Sequence, residues 1–423
     1  MASSKKKRPR KKRPNPGPGA PRPKLSVDEA LGLDRAGRTD EAIAAYRAIL
    51  EHDPKQLDAA MNLGLALART GHRREAETAL TRAVALHPGM AELHADAGLA
   101  YESLGLYDAA RHAFREALDR DAAHLVALCG LARLTLHEGD REGAIGLYRR
   151  AIDVDPLSPD TFLGLQEAVY DERDPEPALE AITHAVTFRP DHLRSRFLMG
   201  ILLDQCGQAS ASQQILGRLH PDPTVYRGAI DSWSYVKEAR TAQTRLLAPV
   251  AETLRFAAEA STLDGLVVEL GVRYGISARV IASAIAPSHL HGFDSFQGLP
   301  EPWHVQPEGA YSTHGELPDL PDNVELHVGL FEDTLGPFTA RHDGPIRLAN
   351  VDCALYSSIA TVFDALGERM VPGTVIVFDE YLLNDHWRED EYEAFQEAVR
   401  TRGWSYEYLA FNLHSGQAVV RLT

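Results

Sequence analysis

Cysteine is scarce in this sequence, and its scarcity excludes two classes of small protein. The three cysteines among 423 residues are Cys129, Cys206 and Cys353. Their number is odd and their spacing is wide, so the pattern matches neither a disulfide framework nor a zinc finger. We therefore expect a reducing compartment and a cytoplasmic location.

Long apolar runs are lacking as well. No stretch reaches the roughly 18 apolar residues that a membrane-spanning helix needs. The basic N-terminus lacks the apolar segment of a secretory signal, which argues against export. The hydrophobic fraction of 44% is nevertheless ample for buried cores, and a chain of 423 residues is expected to form two or three domains.

Charge is distributed unevenly along the chain. Residues 1–24 contain ten Lys or Arg and no acid, which leaves 34 basic against 60 acidic residues in the remainder. An acidic globular part argues against nucleic acid as the main ligand. Residues 1–24 are too poor in apolar side chains to order themselves, so we expect a disordered basic tail, the only segment suited to a polyanion.

From Leu25 the sequence repeats every 34 residues. A glycine recurs at this interval, an alanine follows it, a second alanine marks another small position, and a proline closes most units. These residues are Gly37, Gly71, Gly105, Gly139 and Gly207; Ala42, Ala76, Ala110, Ala144 and Ala178; Ala83, Ala117, Ala151 and Ala185; Pro54, Pro88, Pro156 and Pro190. Small residues let paired helices approach, while the glycine and the proline end helices. The pattern resembles the tetratricopeptide repeat and predicts an all-α solenoid over residues 25–222.

Most of these repeat residues are expected to be core, because each unit buries its apolar stripe only against the next unit. The concave face of the solenoid is the candidate binding surface for a protein or peptide partner. Two alternatives stay open. The face could hold the array to a second copy of the chain in a homo-oligomer, or to the domain that follows.

After the repeats the pattern changes twice. Residues 223–262 predict one or two linker helices. From residue 263 short apolar strands alternate with helices, which predicts a Rossmann-like α/β domain with a mostly parallel, seven-stranded sheet over residues 263–423. The predicted strands are 266–270, 290–293, 324–328, 346–351, 374–378, 405–408 and 418–422, the last two paired at the sheet edge; the predicted helices are 277–285, 355–370 and 389–402.

The stretch 267–277 is the clearest local candidate for a ligand site. An apolar strand carries Glu269 at its end, and Gly271 and Gly275 follow before a helix begins. Such a turn brings backbone N–H groups close to a ligand. Asp294 ends the next strand about 25 residues later, where an acidic residue holds ribose hydroxyls in nucleotide-type folds. The glycine spacing is not that of a dinucleotide site, so we favour another adenosine-bearing ligand, with a simple tight turn as the alternative.

Further acidic residues follow two later strands. Asp352 follows one of them, and Asp379 and Glu380 follow the next. Ligands of open α/β sheets bind at the carboxyl ends of the strands, so these carboxylates are expected to meet at one edge. Grouped carboxylates repel one another unless a cation joins them, and oxygen ligands suit Mg²⁺. The alternative is that they cap helices or pair with basic side chains.

Four motifs occur in order between residues 263 and 423. They are Glu-Leu-Gly-Val-x-x-Gly-x-Ser at 269–277, Gly-Phe-Asp-Ser-Phe-x-Gly-Leu-Pro-Glu-x-Trp at 292–303, Val-Asp-Cys-x-Leu-Tyr-Ser-Ser at 351–358 and Val-Phe-Asp-Glu-Tyr at 377–381. Together they resemble the macrocin O-methyltransferase family. Its members are class I enzymes that use S-adenosylmethionine, and several methylate sugar hydroxyls of natural products.

The resemblance implies two groups of site residues. The first would bind S-adenosylmethionine through its methionine part and its ribose: Glu269, Gly271, Gly275, Ser277, Asp294 and Ser295. The second would bind Mg²⁺, which in the family orients the acceptor hydroxyl for methyl transfer: Asp352, Asp379 and Glu380. The implied acceptor is a glycoside-like small molecule, and a catechol-type acceptor is the alternative with the same fold and metal.

Two positions depart from the family pattern His-x-Asp-x-Asp-Leu-Tyr. Asn350 stands where the family has His, and Ala354 stands where it has a second acid, its candidate general base. Asp352 and His386 are therefore the predicted catalytic residues, and His304 and a metal-bound hydroxide are the other candidates for the missing base. Two functions stay open: a Mg²⁺-assisted O-methyltransferase whose repeats recruit a partner, and a catalytically impaired scaffold that acts as a protein-interaction module.

Overall fold

The computed structural model describes residues 26–219 and 226–423, which form a helical array followed by a sheet domain. The predicted basic tail (residues 1–24), residue 25 and residues 220–225 lie outside the described residues. Within the described part of the chain, no helix combines the length and the apolar character needed to cross a membrane.

Within residues 26–219, twelve helices form six consecutive hairpins, which confirms the predicted all-α solenoid. The helices are α1 (Val27–Arg35), α2 (Thr39–His52), α3 (Leu57–Arg69), α4 (Arg73–Leu86), α5 (Ala91–Ser103), α6 (Tyr107–Arg120), α7 (Leu125–Glu138), α8 (Arg141–Val154), α9 (Pro159–Val169), α10 (Glu176–Phe188), α11 (Leu193–Gln205) and α12 (Ala209–Leu216).

Small residues lie where these helices cross. Every alanine at the two small positions of the repeat is fully buried, as the period predicts. Glycine makes room for the large side chain of the unit. A Cβ on Gly98 of α5 or on Gly130 of α7 would lie 2.5 Å or 2.3 Å from the ring of Phe114 on α6. Phe114 therefore fills the space between two successive hairpins, and its burial joins them.

The C-terminal part is an α/β domain. Its strands are β1 (Arg245–Leu247), β2 (Leu266–Leu270), β3 (Leu290–Asp294), β4 (Val324–Val328), β5 (Ile346–Val351), β6 (Val375–Phe378), β7 (Tyr406–Asn412) and β8 (Ala418–Leu422). Its helices are α13 (Arg227–Ala239), α14 (Val250–Ala260), α15 (Ile276–Ile285), α16 (Phe331–Arg341), α17 (Tyr356–Leu366) and α18 (Glu391–Arg402), with a 3₁₀ turn at Gly367–Arg369.

The strands join in one sheet with the order β1-β7-β8-β6-β5-β2-β3-β4. β8 is antiparallel to β6 and β7, and the other neighbours are parallel. Both faces are covered. Val268 of β2 faces a core that continues through Trp233 of α13 into the last hairpins of the solenoid, whereas Val267 faces a core that includes α14 and α15. The mostly parallel Rossmann-like sheet is confirmed.

Three details differ from the prediction. β1 is an eighth strand inside the predicted helical linker, and its pairing with β7 means that β7 and β8 are not the sheet edge. A three-residue strand is too short to leave an alternating pattern. α16 was not predicted, because Gly336 and Pro337 interrupt its apolar periodicity.

Candidate active site

The carboxyl ends of β2, β3, β5 and β6 open into one cavity of about 450 Å³. Seven of the predicted site residues line it: Gly271, Ser277, Asp294, Ser295, Asp352, Asp379 and Glu380. Glu269, Gly275 and His386 are not among the lining residues. The edge of the sheet predicted to carry the site is therefore the edge where most of these residues meet.

Both glycines of the turn are required by their surroundings. Gly271 has φ +97°, and a Cβ there would lie 1.8 Å from the carbonyl oxygen of Asp352. Gly275 has φ +72°, precedes the first turn of α15, and would place a Cβ 2.5 Å from Leu320. Both conformations disfavour L side chains, and at Gly271 the close approach of two backbones leaves no space for one. The turn therefore delivers free N–H groups of α15 to the cavity.

Asp294 holds the glycine turn in place. Its Oδ2 accepts hydrogen bonds from the backbone N–H groups of Val272 (2.9 Å) and Arg273 (2.7 Å), and its Oδ1 accepts one from Phe296 (2.6 Å). A carboxylate has about four acceptor sites, so three are used within the protein. One remains for a ligand. The contact of Asp294 with ribose hydroxyls stays a prediction. Its structural role, fixing the glycine turn, was not indicated by the sequence pattern.

Glu269 lies beneath the turn and is fully buried. Its Oε1 accepts a hydrogen bond from Nδ2 of Asn350 on β5 (3.0 Å), while its Oε2 has no partner. Burial raises the pKa of Glu269 to about 8. Asn350, one of the two residues that depart from the family pattern, thus fixes this carboxyl. A contact of Glu269 with the methionine part of a cofactor stays a prediction.

Asp352, Asp379 and Glu380 are brought together by the register of β5 and β6. Val351 pairs with Phe378, and the N–H of Asp379 donates to the Val351 carbonyl (3.1 Å). Desolvation, followed by the charge of Asp379, raises the pKa of Asp352. Desolvation also raises the pKa of Asp379, although a hydrogen bond from Gln417 (2.7 Å) opposes it, and raises the pKa of Glu380 to about 7.

A further acid lies behind this group, Glu391, for which the sequence offered no motif stronger than helix capping. Glu391, at the start of α18, is 1% exposed, and its Oε2 accepts a hydrogen bond from the N–H of Glu380 (3.0 Å). Burial and the charge of Asp379 raise its pKa. The available signal was weak, since an acid in the first turn of a helix is usual at exposed positions.

The donor set fits a hard divalent cation in its chemistry. Three carboxylates face one cavity with raised pKa values, and Oε2 of Glu380 is buried without a partner. The carboxylate oxygens of Asp352, Asp379 and Glu380 do not, however, lie close enough together to share one ion. Among the described residues, the groups of three ligand atoms within 4.8 Å of one another are His291 with Glu325 and His342, and His304 with His386 and Glu389. Shared coordination by Asp352, Asp379 and Glu380 would require their side chains to rotate.

Neither His386 nor His304, the predicted replacement bases, lines the cavity beside Ala354. Ala354 lines the cavity in a left-handed conformation (φ +59°), and its methyl group cannot accept a proton. His386 lies in the loop after β6, exposed, with its ring stacked on His304 at 4.0 Å. His304 in turn contacts Asp390 through Nε2 (2.8 Å). Because His386 is outside the cavity lining, its predicted catalytic role has no direct contact to support it.

Comparison with protein families agrees with this architecture. A methyltransferase-domain model matches residues 268–381, and a tetratricopeptide-repeat model matches residues 27–91, 66–124 and 96–160. The first match covers the glycine turn, Asp294 and the acidic strand ends. No curated protein matches the chain.

Three solved structures each resemble half of the chain or less. MamA is 21% identical, with a TM-score of 0.35 over 40% of this chain and 99% of that one. PilF of Pseudomonas aeruginosa is 19% identical, with a TM-score of 0.43 over 50% and 95%. The O-methyltransferase NovP is 21% identical, with a TM-score of 0.32 over 41% and 79%. Such low values carry no argument about function. The family matches and the fold together show that the chain is a tetratricopeptide-repeat array followed by a methyltransferase domain.

Proposed function

We propose that the protein is an S-adenosylmethionine-dependent O-methyltransferase that acts, with Mg²⁺, on a hydroxyl of a sugar or related natural-product acceptor. One observation carries the proposal: a single cavity joins the glycine turn, Asp294 and the carboxylates Asp352, Asp379 and Glu380. A cofactor-binding turn and a cluster of hard ligands beside it are the two parts that such a reaction needs.

Residues of the glycine turn would bind the cofactor, which supplies the methyl group when bound. Gly271 and Gly275 let the backbone approach it, Ser277 offers a hydroxyl, and Asp294 keeps the turn rigid while one acceptor site stays available. Asp352, Asp379 and Glu380 would hold Mg²⁺, a Lewis acid that orients an acceptor hydroxyl and increases its acidity.

The remaining wall of the cavity suits an acceptor with apolar surface. Leu299, Pro300, Tyr311, Leu330 and Phe331 line the same cavity as the carboxylates. A sugar ring or a catechol ring could pack against such side chains while a hydroxyl reaches the acidic edge. The solenoid would bind a protein or peptide partner on its concave face, and that partner would bring the acceptor.

The test is a titration of the full chain with S-adenosylhomocysteine. The wild type should bind, and Asp294→Ala should weaken binding by about 100-fold or more, because two backbone hydrogen bonds of the glycine turn and one of the following loop are lost at once. Asp343→Ala, an exposed acid in the same domain, is the matched control. Absence of binding by the wild type would remove the proposal.

One observation favours a second candidate function. Ala354 leaves the cavity without the family's candidate base, so the domain could be an impaired methyltransferase that serves as a scaffold. Loss of a general base costs about 10²–10⁴-fold in rate. Methyl transfer to a panel of glycosides and catechols, with and without Mg²⁺, distinguishes the two. Activity of the wild type supports the enzyme, and activity of Ala354→Asp alone supports the scaffold.

A further inference from the structure

Three turns within successive helical hairpins of the solenoid contact the methyltransferase domain. Gly71, Gly105 and Gly139 end α3, α5 and α7 and have φ values of +79°, +66° and +93°. A Cβ on each would lie 2.5 Å, 2.7 Å and 2.9 Å from an atom of the C-terminal domain. The equivalent Gly37 and Gly207, both with φ +75°, have no such atom within 4 Å. The glycine needed to end a helix is therefore also a contact point, but only in the middle units.

The atom facing Gly105 belongs to the cofactor turn. It is the Cβ of Tyr274, which lies between Gly271 and Gly275 in the chain. Tyr274 is 3% exposed and is part of the apolar core of the solenoid, not of the sheet domain. Ile276, in the first turn of α15, packs against the same core. The turn that lines the cavity is thus anchored in the repeat array by its own side chains.

A second segment that lines the cavity is held in the same way. The loop between β3 and β4 carries His314, whose Nε2 contacts the carbonyl oxygen of Thr70 (2.7 Å) and whose ring stacks on that of His72 at 4.0 Å. Glu316 of the same loop accepts a hydrogen bond from the N–H of Arg74 (3.2 Å). These contacts fix residues 314–316 to the turn between α3 and α4.

The two anchored segments meet beside the cavity. The guanidinium of Arg273 lies 4.6 Å from the ring centre of Tyr274 and 5.1 Å from that of Tyr311. All three side chains line the cavity. A displacement of the hairpin turns would therefore move two parts of the cavity lining, the glycine turn and the loop between β3 and β4.

We propose that the middle repeats are part of the cofactor site. Tyr274 is a positioning residue: its contact with Gly105 holds the glycine turn in the conformation that binds the cofactor. This inference rests on the proposed binding of S-adenosylmethionine. It assigns the hairpin turns of the solenoid a function separate from partner binding, since they pre-organise the turn that receives the cofactor. A ligand that distorts the array should then change cofactor affinity, because the two sites share one rigid contact.

The repeat supplies its own matched controls. Gly105→Ala, Gly37→Ala and Gly207→Ala each place alanine at the same turn position with a positive φ, so all three carry the same local strain. Only Gly105→Ala collides with Tyr274. We expect it to weaken S-adenosylhomocysteine binding about tenfold or more, a coupling of ordinary size, while the two controls stay within about twofold of the wild type.

A milder variant covers the case in which Gly105→Ala fails to fold. His72→Ala removes the ring stacked on His314 without adding an atom, and His112→Ala, an exposed histidine of α6, is its control. His72→Ala should weaken binding by about threefold to tenfold, and His112→Ala should not. Circular dichroism and thermal unfolding establish that each variant is folded.

The outcomes separate the two proposals. If the wild type binds no S-adenosylhomocysteine, the proposed function fails. If the wild type binds and folded Gly105→Ala and His72→Ala bind equally well, the proposed function stands and the inference about the repeats is wrong. Equal losses in Gly37→Ala and Gly105→Ala would also contradict it, because strain in any hairpin would then suffice.

Discussion

The solenoid and the acidic edge of the sheet place opposite kinds of residue in their interiors. Alanines, glycines and one large apolar side chain per unit fill the solenoid, and their burial lowers the free energy of the fold. At the sheet edge, Glu269 and Glu391 are buried, and Asp352, Asp379 and Glu380 face one cavity with raised pKa values. Crowded carboxyls oppose folding. The repeat residues therefore stabilise the fold by packing, whereas the acidic residues at the sheet edge indicate a ligand-binding site.

The largest effect on stability should come from the centre of the solenoid. Phe114→Ala removes the ring that fills the space between Gly98 and Gly130. We expect the free energy of unfolding to fall by about 3–5 kcal/mol. The reason is that a cavity forms between two hairpins, and Gly98 and Gly130 have no side chains to fill it. Urea denaturation measures the loss. A loss below about 1 kcal/mol would contradict this view of the repeat packing.

The largest effect on the cavity should come from Gly271→Ala. A methyl group at 1.8 Å from the Asp352 carbonyl forces β2 and β5 apart at the cofactor turn. We expect S-adenosylhomocysteine affinity to fall on the order of 100-fold, since the turn loses its geometry.

Gly344→Ala is the control, with φ +103° and no atom within 4 Å. It tests strain alone and should leave binding unchanged. Equal losses in the two variants would show that backbone strain, and not the approach of the two strands, decides affinity.

The parts that the sequence predicted were those with repeated or local signals. The 34-residue period specified five hairpins and the start of the sixth, in which it loses phase after Gly207. Apolar runs specified seven strands. β1 and α16 escaped because one is three residues long and the other contains Gly336 and Pro337. The contact between Tyr274 and Gly105 could not be foreseen, since it joins segments about 170 residues apart without a charge or a motif to mark it.

The candidate site was predictable to a similar degree. Strand ends located Asp294, Asp352, Asp379 and Glu380, because parallel strands align their carboxyl ends. The use of three acceptor sites of Asp294 by backbone N–H groups depends on the exact turn geometry. The position of His386 outside the cavity depends on the path of a loop, which no periodic pattern determines.

A moderate effect is expected from pH. The pKa of Glu269 is raised from 4.5 to about 8 by burial, so between these values the folded protein keeps a proton that the unfolded chain releases. The contribution of Glu269 to stability is therefore largest below pH 4.5 and is lost as the pH rises toward 8. In Glu269→Gln the melting temperature should fall less steeply between pH 4.5 and 8 than in the wild type. Thermal unfolding at several pH values measures this slope. An unchanged slope would show that Glu269 does not titrate there.

The smallest effect should come from charges on the solenoid surface. Arg38 and Glu41 form an exposed pair at 2.7 Å. Glu41→Gln should leave the free energy of unfolding nearly unchanged, because water screens the pair. The variant should leave the pH dependence intact, in contrast to Glu269→Gln. A larger loss would mean that the solenoid, like the sheet edge, depends on its charges.

The most direct measurement is amide hydrogen exchange of the full chain with and without S-adenosylhomocysteine. The cofactor should slow exchange in residues 271–277 and 311–316 and in the hairpin turns around Gly71 and Gly105. The turns around Gly37 and Gly207, where an added Cβ would meet no atom within 4 Å, should be unaffected. No protection at residues 271–277 would contradict the cofactor site itself. Protection there together with unchanged turns at Gly71 and Gly105 would contradict the part assigned to the repeats.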